Sequence, residues 1–364
     1  MRSPLPPPRE SRLRRALYAL PFLAITALMT RAFGMAESIG PVIEERVQTS
    51  VFRAQEGNVA LIKNFYGVPG LDDIFNVVTA AFANLQFFFD KKAYWQSLVF
   101  LTDFAGMYAV IMVESFRPGN TFLVAKYPVF FLLLSQIIAI GCTAPIFFFL
   151  AYVFAPAQKL PALIPGRPGA GRYRALFPVL GLSYYIPHLR CYFSASLEGR
   201  NWWNWIWQLY PVWGSGLMFV LSRAFGHEFK LLKADRIKFK IDMGVCSIIS
   251  MLTWWYTLAS MKDSIFEVFV PQYLVTFPQD PDVGLRTVIQ FDYICCFAAG
   301  YLWLAYHFRD LEKLGICRVP WFKTVGVCMV LGLVVGLGTL FPILWLLGEE
   351  LLIEAEKETK ELED

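Results

Sequence analysis

Charge and histidine are scarce in this chain. Asp, Glu, Lys and Arg make up 17% of the 364 residues, whereas about 25% is usual in soluble globular proteins. Hydrophobic residues reach 56% and aromatic residues 16%. This balance excludes an ordinary soluble domain and predicts an all-α, polytopic membrane helical bundle. The net charge of +4 is small and unevenly placed, so it bears on membrane orientation and does not favour nucleic acid as a partner.

Several motifs that would assign a reaction are also missing. The sequence has no Walker A motif, no H-E-x-x-H and no histidine-rich box. Its three histidines offer little for binding a haem or a pair of metal ions. The DDxxD and DxDD motifs of soluble terpene chemistry are absent as well, since 71–75 reads LDDIF. These absences disfavour metal-dependent prenyl chemistry, and we expect no metal and no other cofactor.

Cysteine usage gives no covalent framework. The seven cysteines are odd in number and irregularly spaced, and most lie within apolar stretches. Cysteines in this pattern usually act as small packing residues and do not indicate disulfide or zinc sites.

Nine apolar stretches are candidate membrane spans. A helix needs about 20 apolar residues to cross a bilayer. The second stretch is the weakest and can instead lie along the interface, so we keep eight and nine spans as alternatives. The stretches are 16–33, 71–89, 93–113, 127–154, 175–193, 202–221, 241–260, 287–308 and 324–347.

The distribution of basic residues predicts the orientation. Residues 1–15 are Pro-rich and contain five arginines, which places them in the cytosol. Residues 16–347 then form the transmembrane domain, and 348–364 form an acidic tail that reads as a solvated helix or coil. With nine spans the tail is lumenal. The cytosolic side then holds the basic loops 155–174, 222–240 and 309–323 together with Lys91 and Lys92.

Three acids stand out as candidate catalytic groups. Asp103 lies at the middle of the 93–113 stretch, Glu114 at its end, and Asp292 inside 287–308. A carboxyl group near the bilayer centre costs a few kcal/mol or more unless it is compensated. Each is therefore either a packing hydrogen-bond partner or a group that handles protons or ions. In the nine-span arrangement all three share one lumen-facing half of the bundle.

A second group of residues is aromatic. The runs 182–193 and 200–213 are rich in tyrosine and tryptophan, more than a thin interfacial belt requires. Aromatic faces stabilise nearby cations, so these residues can line a pocket that guides a carbocation. His188 is either a relay or a satisfied interhelical residue. The candidate binding residues are Tyr184, Tyr185, His188, Trp203, Trp207, Tyr210 and Tyr293.

Four runs within 127–308 resemble a known family. They are GCTAPIFFFLAYVFAP (141–156), LGLSYYIPHLRCYF (180–193), NWWNWIWQLYPVW (201–213) and VIQFDYICC (288–296). The pattern is similar to fungal integral-membrane terpene cyclases of the ascochlorin and ascofuranone type. Asp292, in the FDY of the last run, is the acid that the resemblance carries over.

The resemblance implies a metal-independent isomerase of meroterpenoid biosynthesis in the endoplasmic reticulum membrane. Such an enzyme protonates the epoxide of a lipophilic, prenylated aromatic polyketide and directs cation cyclisation among membrane lipids. The alternative function is a transporter that couples ions or protons through intramembrane carboxylates. Against the transporter, the sequence shows no internal repeat and no paired broken helices of the kind found in many carriers.

Overall fold

The computed structural model describes residues 10–54, 57–117, 120, 123–154, 170–226 and 233–363. The fold is nearly all helical, with 81% of the described residues in helices, as the sequence predicts. A 3-10 helix, Gly34–Ile39, lies between α2 and α3, and a π-helical segment, Gly181–Tyr185, joins α9 to α10. The other elements are α1 Arg12–Tyr18, α2 Leu20–Phe33, α3 Gly40–Thr49, β1 Val51–Ala54, β2 Gly57–Ala60, α4 Pro69–Gln86, α5 Lys91–Glu114, α6 Leu123–Lys126, α7 Val129–Ile138, α8 Ile140–Phe154, α9 Ala170–Leu180, α10 Ile186–Phe193, α11 Leu197–Gln208, α12 Tyr210–Ala224, α13 Lys233–Ser260, α14 Ile265–Phe269, α15 Pro281–Lys313, α16 Trp321–Val335 and α17 Leu337–Glu363.

Helix α5 is the centre of the bundle. Its residues from Ala93 to Glu114 are all buried by other helices. The carboxylate of Asp90 accepts hydrogen bonds from the backbone N–H groups of Lys92 and Ala93 and so caps its first turn. Such a cap contributes about 1 kcal/mol. Because α5 is apolar on all sides, its residues pack against protein on every face.

Helices α5 and α15 lie side by side and run in the same direction. Arg286 bonds Asp90 at 2.6 Å, the Gln96 amide donates to the Ile289 carbonyl, and the Tyr293 hydroxyl donates to Asp103. Residue numbers therefore rise together along both helices. The nine-span arrangement requires the third and eighth stretches to cross in opposite directions, so that arrangement is wrong.

The predicted fourth span is a hairpin of two shorter helices. Helices α7 and α8 meet at Ala139, whose φ is 71° and ψ 147°. The Phe131 and Phe147 rings, eight residues to either side of that break, lie 5.8 Å apart. Helix α8 then follows α15, with Phe148 stacked on Trp303 and Tyr152 on Tyr306. The hairpin thus turns at half depth and returns to the end from which it started.

The predicted ninth span is also broken. Helices α16 and α17 meet at Gly336, whose φ is 86° and ψ 151°. At the start of α16 the Trp321 indole donates to Glu312, beside the last turn of α15. At its end, the Trp254 indole donates to the Leu333 carbonyl. Helix α17 then runs alongside α5 from Asp103 towards Glu114, so this pair of helices is a second re-entrant hairpin.

The two hairpins share a sequence pattern. Residues 139–146 read AIGCTAPI and residues 336–343 read GLGTLFPI. In both runs a glycine follows the break by two residues and a proline follows that glycine by four. Each hairpin also follows a long, buried helix that carries an aspartate, α5 or α15. The expectation of no paired broken helices is therefore wrong.

The basic segments gather at one end of the bundle, which we call the basic end. Arg15 bonds Asp310 at 2.8 Å, and Lys240 bonds Glu350 at 2.6 Å. The acidic tail belongs to this same end, because Glu349 is fully buried and pairs with Arg117. Lys92 lies at the opposite end, where it bonds Glu267. The tail is therefore not on the opposite side from the basic loops, and Lys91 and Lys92 do not join those loops.

Four helical segments are long and apolar enough to cross a membrane among the described residues. They are Leu20–Thr49, Lys91–Glu114, Asp235–Ser260 and Pro281–Lys313. Shorter apolar helices form both arms of the first hairpin and the first arm of the second, whereas α17 has 27 residues. The stretch 202–221 is broken at Leu209. A count of eight or nine spans is not supported. Residues 1–9 and most of the 155–174 loop lie outside the described residues.

Candidate functional site

Asp292 meets the tip of the first hairpin. Its Oδ1 accepts a hydrogen bond from the backbone N–H of Gly141, in the first turn of α8. The N-terminus of a helix carries unpaired N–H groups and a partial positive charge, so it holds a carboxyl group well. A Cβ at Gly141 would lie 2.9 Å from that oxygen and 3.1 Å from the Asp292 Cα, so only glycine allows this approach.

Asp292 makes no other hydrogen bond with a described residue. The residue is 6% exposed, so it is buried but not sealed. Its charge is close enough to Tyr210 and Cys296 to interact with both groups. One oxygen is therefore held, and the other has no hydrogen-bond partner among the described residues.

Asp103, in contrast to Asp292, has both carboxyl oxygens in hydrogen bonds. It is fully buried, and its two oxygens accept hydrogen bonds from the Ser250 and Tyr293 hydroxyl groups. The backbone of Gly338, at the tip of the second hairpin, hydrogen-bonds to it as well. A Cβ on Gly338 would overlap Asp103. Its oxygens are thus occupied by the protein.

Glu114 belongs to an ion-pair network at the basic end. The Arg117 guanidinium donates to both of its oxygens, at 2.8 and 2.9 Å, and also pairs with Glu349. The Trp345 indole donates to Glu114 at 2.8 Å. This geometry favours a structural role for Glu114.

The three acids do not share one half of the bundle, contrary to the expectation, because Glu114 lies at the basic end. Asp292 and Tyr293 are consecutive on α15, so their side chains diverge by about 100°. Tyr293 reaches Asp103 on one side, while Asp292 faces the tip of the first hairpin. Glu114 lies three turns of α5 beyond Asp103. The structure therefore gives three separate sites.

Three of the seven predicted binding residues assemble into one group. The Tyr184 ring lies 4.8 Å from Tyr210 and 5.9 Å from Trp207, and Trp207 lies 5.4 Å from Tyr210. All three side chains are buried. Tyr108 of α5, which the sequence analysis missed, completes the group at 5.1 Å from Tyr210. We call Tyr108, Tyr184, Trp207 and Tyr210 the aromatic cluster.

The other predicted binding residues lie around this cluster or outside it. His188 lies 6.0 Å from the Tyr184 ring, and its Nε2 is 2.9 Å from the Thr102 hydroxyl. Tyr185 is buried but contacts Cys246 on α13. Trp203 packs against Trp202 at 4.9 Å, away from the cluster. Tyr293 donates its hydroxyl hydrogen bond to Asp103 and so belongs to that site.

The first hairpin connects Asp292 to the aromatic cluster. Ser135 of α7 lies beside the Tyr210 hydroxyl, and Gly141 of α8 holds Asp292. An indole N–H of the cluster, Nε1 of Trp207, is buried without a hydrogen-bond partner. An acid, several aromatic faces and an unpaired donor therefore lie around one hairpin at half depth.

Two cavities flank the same hairpin. On the α7 side, about 630 Å³ of empty space lies between α5, α7 and α12 and reaches Tyr108 of the cluster. On the α8 side, about 560 Å³ lies between α5, α8 and α15 near the basic end. No group of three or more His, Cys, Asp and Glu side chains suited to a metal ion occurs in the described part of the chain.

Together these features define a helical bundle with four helices apolar enough to span a membrane, two hairpins of broken helices and, among the described residues, a buried acid with one unpaired oxygen. The chain matches the CtvD domain family over residues 15–352 and belongs to that family. It is similar to the FAD-dependent monooxygenase verC1 of Penicillium polonicum, 25% identical, and to anuJ of Penicillium roqueforti, 26% identical. A third relative is the FAD-dependent monooxygenase BOA8 of Botryotinia fuckeliana, 26% identical over 66% of this chain and 32% of its own length.

The chain spans less than half the length of these relatives. The matches to verC1 and anuJ cover 94% of this chain but 43% and 42% of theirs. No solved structure matches the chain. The relatives establish homology to fungal enzymes of secondary metabolism, without identifying the ascochlorin and ascofuranone cyclase type in particular.

The flavin in the relatives' names raises the question of a flavin site. Flavin dinucleotides are commonly bound by a parallel sheet with a G-x-G-x-x-G turn. That pattern is absent from the sequence, and the described residues form only one antiparallel, two-stranded sheet. The residues of this chain therefore do not fit a flavin site of that kind.

Proposed function

We propose that this chain is an integral-membrane enzyme that opens an epoxide by general-acid catalysis and directs ring closure. The observation that carries the proposal is Asp292, a buried acid with one oxygen held by a hairpin tip and the other open. It lies within electrostatic range of Tyr210, a member of the aromatic cluster, whose faces are suited to a positive charge. General acids of this kind typically accelerate a reaction by about 10² to 10⁴-fold.

The reaction needs only groups on this chain and the substrate. Asp292, carrying a proton, donates it to the epoxide oxygen while the adjacent carbon–oxygen bond breaks. Positive charge develops on the more substituted carbon, where the faces of Tyr184 and Tyr210 stabilise it. An alkene or a hydroxyl group of the same substrate then attacks that carbon and closes the ring. The resulting cation loses a proton, and the Asp292 carboxylate regains one.

The relatives support an epoxide as the substrate. They are named FAD-dependent monooxygenases, a class that can insert an oxygen atom into an alkene to give an epoxide. This chain matches less than half of each relative and does not fit a flavin site of the common kind. We therefore assign to the matched region the step that consumes the epoxide.

The resemblance of 127–308 to fungal membrane terpene cyclases supports a more specific substrate. It implies the epoxidised prenyl chain of an aromatic polyketide, with the enzyme acting as a metal-independent terpene cyclase of fungal meroterpenoid biosynthesis. The location implied is the endoplasmic reticulum membrane. Four apolar helices of sufficient length support a membrane location.

The test is to supply the epoxide directly. Microsomes containing the chain are incubated with the terminal epoxide of a farnesylated phenol, without flavin or NADPH and with EDTA present. We expect a cyclic isomer of the substrate from the wild type and none from Asp292→Asn. Activity that requires the alkene together with NADPH and flavin would contradict the proposal, as would activity abolished by EDTA.

A transporter is the second candidate, and the paired hairpins favour it. Many carriers place half-helices and a carboxyl group at mid-depth, where two repeats meet. Both features are present here at Asp103 and Asp292. Proteoliposomes loaded with a pH-sensitive dye distinguish the two functions. A substrate-driven pH change that is lost in both Asp→Asn variants, without any chemical conversion, would establish transport and overturn the cyclase.

A further inference from the structure

The cavity between α5, α7 and α12 has more internal space than the other cavity beside the first hairpin. About 210 Å³ of it is internal, against about 40 Å³ for the cavity between α5, α8 and α15. An apolar cavity of roughly 150 Å³ is enough to bind benzene. The space between α5, α7 and α12 is therefore large enough for an apolar part of a small molecule.

The walls of this cavity are mostly apolar and follow the helix axes. Tyr108, Met112 and Ser115 lie at the spacing of one face of α5 and line one wall. Met218 of α12 and Leu132 of α7 belong to the other walls. Tyr108 and Ser115 are seven residues apart, or about 10 Å along the axis at 1.5 Å per residue. The cavity is thus a pocket about 10 Å deep that extends from the basic end to the aromatic cluster.

Tyr108 lies at the inner end of this pocket. Its side chain is 2% exposed and lines the cavity, and its hydroxyl group hydrogen-bonds to no described residue. The hydroxyl groups of Ser115 and Ser215, in contrast, already donate to helix carbonyl groups at 2.6 and 2.7 Å. Buried hydroxyl groups are normally paired. The Tyr108 hydroxyl is therefore a donor that suits an acceptor oxygen on a ligand.

The outer end of the pocket is positively charged. Lys126 lines the cavity, and its ammonium group lies 5.5 Å from the centre of the Tyr127 ring. The Arg172 guanidinium lies 5.0 Å from the centre of the Phe116 ring, which also lines the cavity. The described part of the lining contains no acidic residue, since Glu114 lines the other cavity and is held in an ion pair. These charges favour an anionic group at the outer end.

We propose that this pocket binds a lipophilic acid, which is one apolar chain with an anionic oxygen headgroup. The headgroup is a carboxylate and lies at Lys126 and Arg172. The chain fills the apolar space, and a carbonyl oxygen near its far end accepts a hydrogen bond from Tyr108. An internal space of about 210 Å³ suits one such chain better than a phospholipid with two. The proposal goes beyond the proposed function, because it concerns a separate site and needs no turnover.

Decanoic acid and decanol test the charged outer end. Both ligands, radiolabelled, are titrated onto the purified full chain in phosphatidylcholine nanodiscs, with empty nanodiscs as background. We expect the wild type to bind the acid about tenfold more tightly, because its headgroup gains charge-assisted hydrogen bonds. The double variant Lys126→Gln and Arg172→Gln should lose this preference. The matched control, Arg318→Gln with Lys323→Gln, removes the same charge from the basic end and should keep it. Equal binding of acid and alcohol by the wild type, or equal losses in both double variants, would overturn the proposal.

A keto acid tests the inner end of the pocket. The ligands are decanoic acid and the same acid with a ketone next to the end of its chain. We expect the wild type to bind the keto acid about fivefold more tightly, since the ketone oxygen accepts a hydrogen bond from Tyr108. Tyr108→Phe keeps the ring and should abolish this preference while retaining the preference for acid over alcohol. A preference for the keto acid that survives Tyr108→Phe would overturn the proposal. Gel filtration and circular dichroism establish that each variant is folded.

Competition separates a free acid from a membrane lipid as the ligand. Unlabelled decanoic acid or phosphatidylglycerol, which has an anionic headgroup and two chains, is added to nanodiscs that hold the labelled acid. We expect the unlabelled acid to displace the label and phosphatidylglycerol to displace little of it. Equal displacement by the two would overturn the assignment to a single-chain acid. None of these experiments measures epoxide opening, so the failure of this proposal and the failure of the proposed function are separate results.

Discussion

The two aspartates of the bundle occupy equivalent places but different surroundings. Asp103 on α5 meets the tip of the α16–α17 hairpin at Gly338, and Asp292 on α15 meets the tip of the α7–α8 hairpin at Gly141. Ser250 and Tyr293 occupy the oxygens of Asp103, whereas Asp292 has a single hydrogen bond from the described residues. Both acids thus meet a hairpin tip, but neighbouring hydroxyl groups occupy both oxygens of Asp103 and leave one oxygen of Asp292 unpaired.

The two hairpin tips also differ in backbone strain. Gly336 adopts a φ of 86° without strain, whereas Ala139 adopts a φ of 71° and a ψ of 147°, which a side chain disfavours. Strained residues of this kind cost about 1–3 kcal/mol and are typical of functional sites. The strain lies beside the open aspartate. The comparison therefore favours chemistry at Asp292 and packing at Asp103.

The largest expected difference is in activity. Asp292→Asn keeps the shape of the side chain but removes the acid, so kcat for epoxide opening should fall by about 10² to 10⁴-fold. Asp103→Asn should lose less than tenfold, because its role is to accept hydrogen bonds from its neighbours. Product formation under saturating substrate measures both variants. Equal losses in the two variants would remove the distinction between the acids.

Substituting alanine for the glycine at each hairpin tip should distinguish a tip that affects stability alone from one that also affects activity. A Cβ on Gly338 overlaps Asp103, and one on Gly141 lies 2.9 Å from the Asp292 carboxyl oxygen. Overpacking of this kind costs about 1–3 kcal/mol. Gly338→Ala should lower the thermal midpoint and leave kcat per folded molecule intact, while Gly141→Ala should lower kcat as well. An unchanged kcat in Gly141→Ala would mean that the geometry of this tip does not matter to the reaction.

The aromatic neighbours of each acid give a third comparison. Tyr210 belongs to the cluster near Asp292, while Tyr301 donates to the Leu337 carbonyl near Asp103. Loss of a cation–π contact is worth about 0.5–2 kcal/mol, so Tyr210→Leu should slow cyclisation by roughly three- to thirtyfold and release uncyclised products. Tyr301→Leu is the control and should keep the product profile. Product analysis by mass spectrometry decides the matter, and identical profiles for both variants would contradict a role in guiding the cation.

The smallest expected effect is a change in stability when the residue at either helix break, Ala139 or Gly336, is substituted. Ala139→Gly removes the strain of a positive φ and should stabilise the protein by about 1 kcal/mol. Gly336→Ala introduces that strain and should destabilise it by a similar amount. Thermal unfolding in detergent measures both changes. Destabilisation by Ala139→Gly would show that the alanine side chain contributes packing that outweighs its strain.

Sequence reasoning found the acids and the aromatic residues but not how they are grouped. Asp103 is as buried as its position in an apolar helix requires, and Tyr184, Trp207 and Tyr210 do assemble. Hydropathy measures how apolar a stretch is and carries no information on its direction. The break at Ala139 has no glycine or proline to announce it, so 127–154 reads as one span. The match between 139–146 and 336–343 is a signal that sequence inspection can find.

Sequence alone did not distinguish the residues of the candidate site from similar residues near them in the chain. Trp203 lies within the same tryptophan-rich run as Trp207, but it packs against Trp202 and not in the cluster. Glu114 is an acid at a helix end, and only the fold shows that Arg117 holds both of its oxygens. Tyr108 was overlooked because α5 is apolar throughout and no pattern marks its functional face.

Chemical labelling tests the difference between the two acids most directly. Dicyclohexylcarbodiimide is a lipophilic reagent that modifies protonated carboxyl groups in apolar surroundings. We expect mass spectrometry to locate the modification on Asp292, with activity lost in step and with protection by farnesylated phenol, while Asp103 stays unmodified. Modification of Asp103 with loss of activity, while Asp292 remains intact, would contradict the account.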